Sequence, residues 1–272
     1  MKIIPLVSDS LGVRSFCVFV KTEDTGIIID PGLDLAPLRY NLPPHRLEIE
    51  QFYRMKERIR EYILKANSII ITHYHHDHYS PDFISLYKGR RIFLKDFTRN
   101  INYMQKKRAQ EIYSVIKEFE IADNKNFRIG DTEITFSPSL PHGDTPAVVI
   151  GVTIEEKNKR LLFTSDISGP IFESQLDFIL GVKPHTLILD GPAIYINMKY
   201  LNVFKENLKK ILSFNPEKII IDHHLTRILN WRDYLPEFRD NIDTFASFRG
   251  EGESPLEAMR KKLWESCQSG GL

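Results

Sequence analysis

Residues 68–78, S-I-I-I-T-H-Y-H-H-D-H, restrict the fold and the chemistry of this chain more than any other segment. Three isoleucines and a threonine bounded by polar residues predict a short strand buried on both faces, because the run is too short for a helix. The chain then places His73, His75, His76, Asp77 and His78 within six positions, so four of its nine histidines lie in one turn. The segment therefore predicts a strand that ends in a cluster of polar, metal-binding side chains.

Neutral imidazole and carboxylate groups are the ligands that zinc and related first-row divalent cations prefer. A turn at the end of a strand can fold such alternating donors around one point. The alternative interpretation is a surface histidine cluster or the remnant of a tag. Tags lie at termini and do not follow a hydrophobic strand, so we interpret the segment as part of a metal centre.

The pattern His73-x-His75-x-Asp77-His78 after an apolar strand resembles the signature of the metallo-β-lactamase-fold hydrolases. This resemblance implies an αββα four-layer sandwich of the α/β class, with two mixed sheets covered by helices. The length of 272 residues suits one large core, so we predict a single domain spanning residues 1–272.

Further segments are similar to those of an archaeal-type family of predicted metal-dependent hydrolases. They are residues 8–15 (S-D-S-L-G-V-R-S), 29–32 (I-D-P-G), 42–45 (L-P-P-H) and 222–225 (D-H-H-L). Together with the histidine motif they extend over most of the chain. This second resemblance therefore narrows the family and the site without naming a substrate.

Polar residues also follow the other short apolar strands, at the point where each strand ends. These predicted strand ends carry Asp30, His73, Asp166, Asp190 and the segment Asp222-His223-His224. Because ligands bind where strand ends converge in open α/β sheets, we expect these residues to surround one site. Asp190 has two interpretations that the sequence does not separate, a turn cap or a supporting or acid role beside the metal ligands.

The family resemblance implies three ligands outside the histidine motif. His142, in a loop between a proline and a glycine, matches the third ligand position, and Asp166 matches the carboxylate that bridges two metals. The segment Asp222-His223-His224 would supply the last histidine, and we prefer His223 because it follows its strand at the offset that His73 has from the same Ile-Ile-Ile run, with His224 as the alternative. Asp30 would brace the histidine loop without binding metal, although a turn cap explains it equally well.

The implied ligands divide into two metal sites. The first cation would be held by His73, His75 and His142, the second by Asp77, His78 and His223, with Asp166 as the bridge. Two divalent cations about 3.5 to 4 Å apart can share a hydroxide that attacks an ester; zinc is the expected metal, with manganese or iron as alternatives. Asp77 could also orient the hydroxide and His224 could assist the leaving group, so these two are the predicted catalytic residues.

Two other classes of function compete with hydrolysis. A di-iron redox protein of the same fold typically presents a glutamate at the second ligand position of the motif, where this chain has His75. A non-catalytic scaffold is expected to have lost ligands, whereas all seven positions are filled here. The sequence therefore favours a metal-dependent hydrolase with two metal ions.

The substrate class depends on the charges that follow the motif. Residues 88–108 carry eight basic side chains and one acidic side chain, which indicates either a solvated helix face or a phosphate-binding patch. A patch favours a phosphodiester or another anionic ester, and leaves nucleic acid open as a partner. The net charge of +1 and the lack of a recognisable nucleic-acid module argue against a dedicated nuclease. A phosphodiester or other anionic ester is therefore the predicted substrate, and a small-molecule ester, lactone or thioester is the alternative. The sequence does not decide between a monomer and a homo-oligomer.

The chain lacks the sequence signs of a membrane protein. No apolar run approaches the roughly 18 residues that a membrane span requires, and Met1 leads directly into a strand-like segment rather than a signal peptide. We therefore expect a cytoplasmic protein with no membrane partner. The residues from Cys267 onward are expected to form a frayed tail.

Overall fold

Two mixed β-sheets form the centre of the computed structural model, which describes residues 1–269. Within these residues the first sheet has six strands, and their spatial order is also their order in the chain: β1 (Lys2–Ser8), β2 (Phe16–Lys21), β3 (Gly26–Ile29), β4 (Ser68–Ile71), β5 (Arg91–Leu94) and β6 (Glu120–Ile121). Strands β1 to β3 pair antiparallel, whereas β3 to β6 pair parallel.

The second sheet contains the strands of the following half of the chain. Its members are β7 (Asn126–Ile129), β8 (Thr132–Phe136), β11 (Val152–Glu156), β12 (Lys159–Phe163), β13 (Thr186–Asp190) and β14 (Lys218–Asp222), and a separate short pair is formed by β9 (Leu140–Pro141) and β10 (Val148–Val149). The spatial order is β14-β13-β12-β11-β8-β7. Strands β12 to β14 pair parallel and the others antiparallel, so each sheet joins an antiparallel half to a parallel half.

Helices cover the outer faces of both sheets. These covering helices are α1 (Arg46–Lys65), α2 (Tyr103–Val115), α3 (Glu173–Val182) and α4 (Leu201–Leu212). The single turn α5 (Phe245–Phe248) instead contributes Phe245 and Ala246 to the core between the sheets, and α6 (Leu256–Ser269) packs against α1. The expected frayed tail is wrong for residues 267–269, which continue α6, and its last three residues lie outside the described part of the chain. Among the helices of residues 1–269, none has the length and apolar character needed to cross a bilayer.

The isoleucine runs show how the layers pack. In β4 the middle residue, Ile70, belongs to the apolar cluster between the two sheets, while Ile69 and Ile71 face the cluster beneath α1 and α2. In β14 Ile220 likewise points between the sheets, and its two neighbours face the cluster beneath α3 and α4. Alternate residues of a strand point to opposite faces, so each run is buried on both sides. The predicted αββα sandwich is confirmed.

Candidate metal centre

Asp30 fixes the start of the histidine loop at the end of β3. Its two carboxylate oxygens accept hydrogen bonds from the backbone nitrogen of Thr72 at 2.8 Å and from the Thr72 hydroxyl at 2.6 Å. His78 donates from Nδ1 to the same carboxylate at 2.9 Å. The bracing contact predicted for Asp30 is therefore present, and it leaves Nε2 of His78 directed away from the brace.

Gly32 lets the Asp30 turn lie directly against the histidine loop. A Cβ atom at this position would lie 2.6 Å from the carbonyl oxygen of His76, and closer still to the backbone of His78 and Tyr79. The carbonyl oxygen of Gly32 also accepts a hydrogen bond of 2.5 Å from the Ser15 hydroxyl. The Asp-Pro-Gly sequence thus supplies both a carboxylate and a close backbone approach.

The half of the chain that forms the second sheet carries three of the predicted ligands. Asp166 follows β12, His223 follows β14, and His142 lies in the loop between β9 and β10. The backbone of His142 is held by a hydrogen bond of 3.0 Å from its nitrogen to the carbonyl of Ala147. His223 has φ of 66°, a left-handed conformation that turns the chain sharply away from the strand.

Asp166 is the point at which the predicted ligands converge. Its Oδ2 atom lies within 3.9 Å of five imidazole nitrogens: His142 Nε2 at 2.7 Å, His73 Nε2 and His78 Nε2 at 3.5 Å, His223 Nε2 at 3.7 Å and His75 Nδ1 at 3.9 Å. Burial raises the pKa of the Asp166 carboxyl, but the neighbouring histidines outweigh burial and hold that pKa well below its usual value. The carboxylate is therefore charged at neutral pH.

The seven predicted ligands form two adjoining clusters. In each cluster the potential ligand atoms lie within 4.8 Å of one another. The first cluster consists of His73, His75, His142 and Asp166, and the second of Asp77, His78 and His223. The side chains of His75 and Asp77 are partly exposed to solvent, whereas the other five ligands are buried.

The donor set fits divalent cations. The buried Nε2 atom of His78 has no hydrogen-bond partner among the described residues, although its ring is held by Asp30 through the other nitrogen. Burial lowers the pKa of His78, but Asp166 and Asp30 outweigh burial and raise it to about 10. Imidazoles that are fixed by a carboxylate and directed at further carboxylates are typical ligands of zinc and similar metals.

His224 occupies a different position from His223. Its Nδ1 atom lies 2.9 Å from Oδ1 of Asp166 and 3.0 Å from Oδ2 of Asp190. Burial lowers the pKa of His224, but Asp166 and Asp190 outweigh it and hold that pKa well above its usual value. Asp190 thus contacts His224 directly, which favours the supporting role over a simple turn cap.

The sequence analysis missed two residues that contact the centre. Asp9 accepts a hydrogen bond of 2.8 Å from Nδ1 of His223, and Arg227 donates from Nε to Asp9 at 2.9 Å. Arg227 also lies 3.4 Å from the carboxylate of Asp77. Asp9 belongs to segment 8–15, which was used only for the family resemblance, and the short spacing from His223 to Arg227 was the available sign of the second residue.

Asp222 and His76 do not contribute to the clusters. Asp222 accepts hydrogen bonds from the hydroxyl of Ser10 at 2.5 Å and from the backbone nitrogen of Phe245 at 2.7 Å, so it ties the end of β14 to two other segments. His76 lies 3.6 Å from Glu111 of α2 and is partly exposed. These two polar residues support the framework around the centre.

Half of the eight basic side chains in segment 88–108 are used within the fold, namely Arg90, Arg91, Lys95 and Arg108. Lys95 is buried and pairs with Asp123 at 2.6 Å, and Arg91 pairs with Glu120 at 2.5 Å. Arg90 donates to backbone carbonyls. The exposed lysines Lys106 and Lys107 lie on α2, which contacts the histidine loop through neighbouring residues. The segment therefore does not form one patch, and only its α2 part lies beside the centre.

Comparisons with known proteins agree with this architecture. A family model described as Beta-lactamase superfamily domain matches residues 25–189. A UPF0282 protein from Methanocaldococcus jannaschii is 41% identical over 97% of this chain and 96% of its own length, and one from Pyrococcus abyssi is 37% identical over 97% and 92%. The crystal structure of an isothiocyanate hydrolase from Delia radicum gut bacteria has a TM-score of 0.57 at 15% identity, covering 89% of this chain and 95% of that one. At that identity the structural likeness concerns the fold alone.

Proposed function

From the membership of this chain in the beta-lactamase superfamily and, within it, in the UPF0282 family, we propose that the protein is a binuclear metal-dependent hydrolase. Its proposed substrates are anionic esters, with phosphodiesters as the preferred class. The observation that carries the proposal is the convergence of five imidazole nitrogens on one oxygen of Asp166. Because the side chains of His75 and Asp77 are partly exposed, a substrate can reach these otherwise buried donors from solvent.

The residues of the two clusters would hold one cation each, with Asp166 between them. Zinc suits these imidazole and carboxylate donors, and manganese or iron are the alternatives. When bound, such cations supply positive charge for the ester oxygens and a water whose pKa falls toward about 7. The number of metal ions bound per chain and the identity of the metal are both part of the proposal.

The side chains around the clusters have separate tasks in this proposal. Asp30 and Asp9 hold the rings of His78 and His223 by their Nδ1 atoms, so that each Nε2 points inward. Asp77, half-buried at the opening, can accept a hydrogen bond from the attacking water and orient it. His224, protonated because of its two carboxylate neighbours, is the candidate that donates a proton to the leaving group.

A positive charge next to the centre supports an anionic substrate. Arg227 is buried beside Asp77 and its Nη1 atom lies 3.3 Å from the hydroxyl of Tyr195. Lys106 and Lys107 add exposed charge on α2. The internal pairing of Lys95 and Arg91 favours the second candidate, hydrolysis of a small-molecule ester, lactone or thioester, because it removes much of the expected patch.

A hydrolysis panel on protein of measured metal content tests the proposal. The panel compares bis(p-nitrophenyl) phosphate with p-nitrophenyl esters, lactones and a thioester. We expect metal-dependent cleavage, fastest for the phosphodiester, that is lost in Asp166→Asn and kept in Asp177→Asn, an exposed aspartate on α3. Faster cleavage of a neutral ester would favour the second candidate, and no metal-dependent cleavage of any substrate would contradict a hydrolase.

A further inference from the structure

Arg227 lies against the second cluster. It ends the short 3-10 helix His223–Arg227 and is buried. Its Nε atom donates to Asp9 at 2.9 Å, and its Nη1 atom donates to Tyr195 at 3.3 Å. These contacts fix the guanidinium in place from two sides, so its position is not that of a mobile surface side chain.

The remaining nitrogen of Arg227 contacts one carboxylate and one ring of the second cluster. Nη2 lies 3.4 Å from Oδ2 of Asp77 and 3.3 Å from both ring nitrogens of His223, so it lies over the face of that ring, and it also reaches Oδ2 of Asp9 at 3.4 Å. The Asp77 oxygen is one that a metal would use. A guanidinium keeps its charge at any ordinary pH, so it cannot release these groups by losing a proton.

Among the described residues, the first cluster has no positively charged neighbour comparable to Arg227. Within residues 1–269, no lysine or arginine side chain forms a hydrogen bond or ion pair with the side chain of His73, His75 or His142. The charge of Arg227 therefore acts mainly on one cluster. Repulsion between cations falls with distance and is strong over a few ångströms in a partly buried site.

We propose that Arg227 is a positioning residue that keeps the metal affinity of the Asp77, His78 and His223 cluster below that of the His73, His75 and His142 cluster, so that the two metals load in a fixed order. The proposal rests on the binuclear centre proposed above. Its chemical basis is competition for the Asp77 carboxylate together with repulsion between a permanent cation and an incoming dication. Asp9, which contacts both Nε and Nη2, offsets part of the charge of Arg227.

Stepwise zinc binding to the metal-free protein tests this inference. The wild-type protein is titrated with Zn²⁺ in competition with a chromophoric chelator, and dialysed samples are analysed for metal content. We expect two dissociation constants that differ by at least about tenfold. In Arg227→Met the weaker constant should become at least about tenfold tighter, while the tighter constant changes by less than about threefold.

Tighter binding by the variant separates a charge effect from structural damage, because a disturbed site would bind metal more weakly. Arg227→Gln is the second neutral variant, since it keeps a hydrogen-bond donor for Asp9 if Arg227→Met fails to fold. Arg14→Met is the matched control: Arg14 pairs with Glu257 and contacts no cluster atom among the described residues, so both constants should stay unchanged.

Two other results have distinct meanings. A folded Arg227→Met or Arg227→Gln protein whose weaker constant is unchanged or poorer would overturn the role of Arg227 and leave the binuclear centre intact. Wild-type protein that binds fewer than two zinc ions at saturation would instead contradict the binuclear centre, and with it the premise of this inference.

Discussion

His223 donates a hydrogen bond of 2.8 Å from Nδ1 to the carboxylate of Asp9, a residue 214 positions earlier in the chain. Both side chains are buried, and the Nε2 atom of the same ring points toward Asp77 and Asp166. A carboxylate on the far nitrogen fixes the tautomer and the orientation of a metal-binding imidazole. The N-terminal segment therefore determines how the last ligand of the candidate centre is presented.

Asp9→Asn is expected to weaken metal binding at the second cluster while the first cluster still binds. The amide keeps the shape of the side chain but removes the negative charge that orients His223 and balances Arg227. The affinity of the second cluster for zinc should therefore fall about 10- to 100-fold. Stepwise zinc titration measures both constants, with the exposed Asp131→Asn as control. Equal weakening at both clusters would indicate general damage instead.

Gly32→Ala is expected to displace the histidine loop, because the added Cβ atom meets the backbone of residues 76–79. Overpacking of this kind costs about 1 to 3 kcal/mol of unfolding free energy. Denaturant unfolding and metal content measure the two effects. Gly252→Ala is the control, since no atom lies within 4 Å of its added Cβ. A Gly32→Ala protein with unchanged stability and metal content would contradict the close-approach argument.

The two adjacent histidines are expected to give different defects. His223→Ala should lose the second metal, because its Nε2 belongs to the cluster of Asp77 and His78. His224→Ala should keep both metals and lose about 10²- to 10⁴-fold in rate, the range of a lost general acid. Metal analysis and kcat measured on the same samples separate the two roles, and the reverse pattern would exchange them.

Replacement of Lys106 and Lys107 by alanine is expected to raise KM for an anionic substrate about three- to tenfold at low salt and to leave kcat unchanged, because remote charges bind the ground and transition states alike. The double variant Lys88→Ala and Lys117→Ala, which removes two exposed lysines outside α2, is the control. An unchanged KM would mean that these lysines form only a solvated helix face.

The sequence predicted the fold, and it marked candidate ligands where the signal was local. The isoleucine runs 69–71 and 219–221 are each followed within two residues by a candidate ligand, and the fully apolar run is itself the sign of a strand with both faces covered. The bracing by Asp30 also follows from its place at a neighbouring strand end. Family resemblance then supplied His142 and Asp166, whose local sequence alone was a weak signal.

The contacts that the sequence could not predict depend on distant residues. Arg227 meets Asp9 across 218 positions, and nothing in the local sequence of either residue indicates that the two pair. The basic segment 88–108 is a second example, because a count of its charges does not show that Lys95 is buried and paired with Asp123. Pairing of side chains is decided by sheet register and packing, which composition does not record.

The candidate ligands come from distant parts of the chain, so the centre is completed late in synthesis. The histidine loop is translated well before the strand that precedes His223. The full donor set therefore exists only after the segments that carry Asp166 and His223 have been made and have packed against the histidine loop.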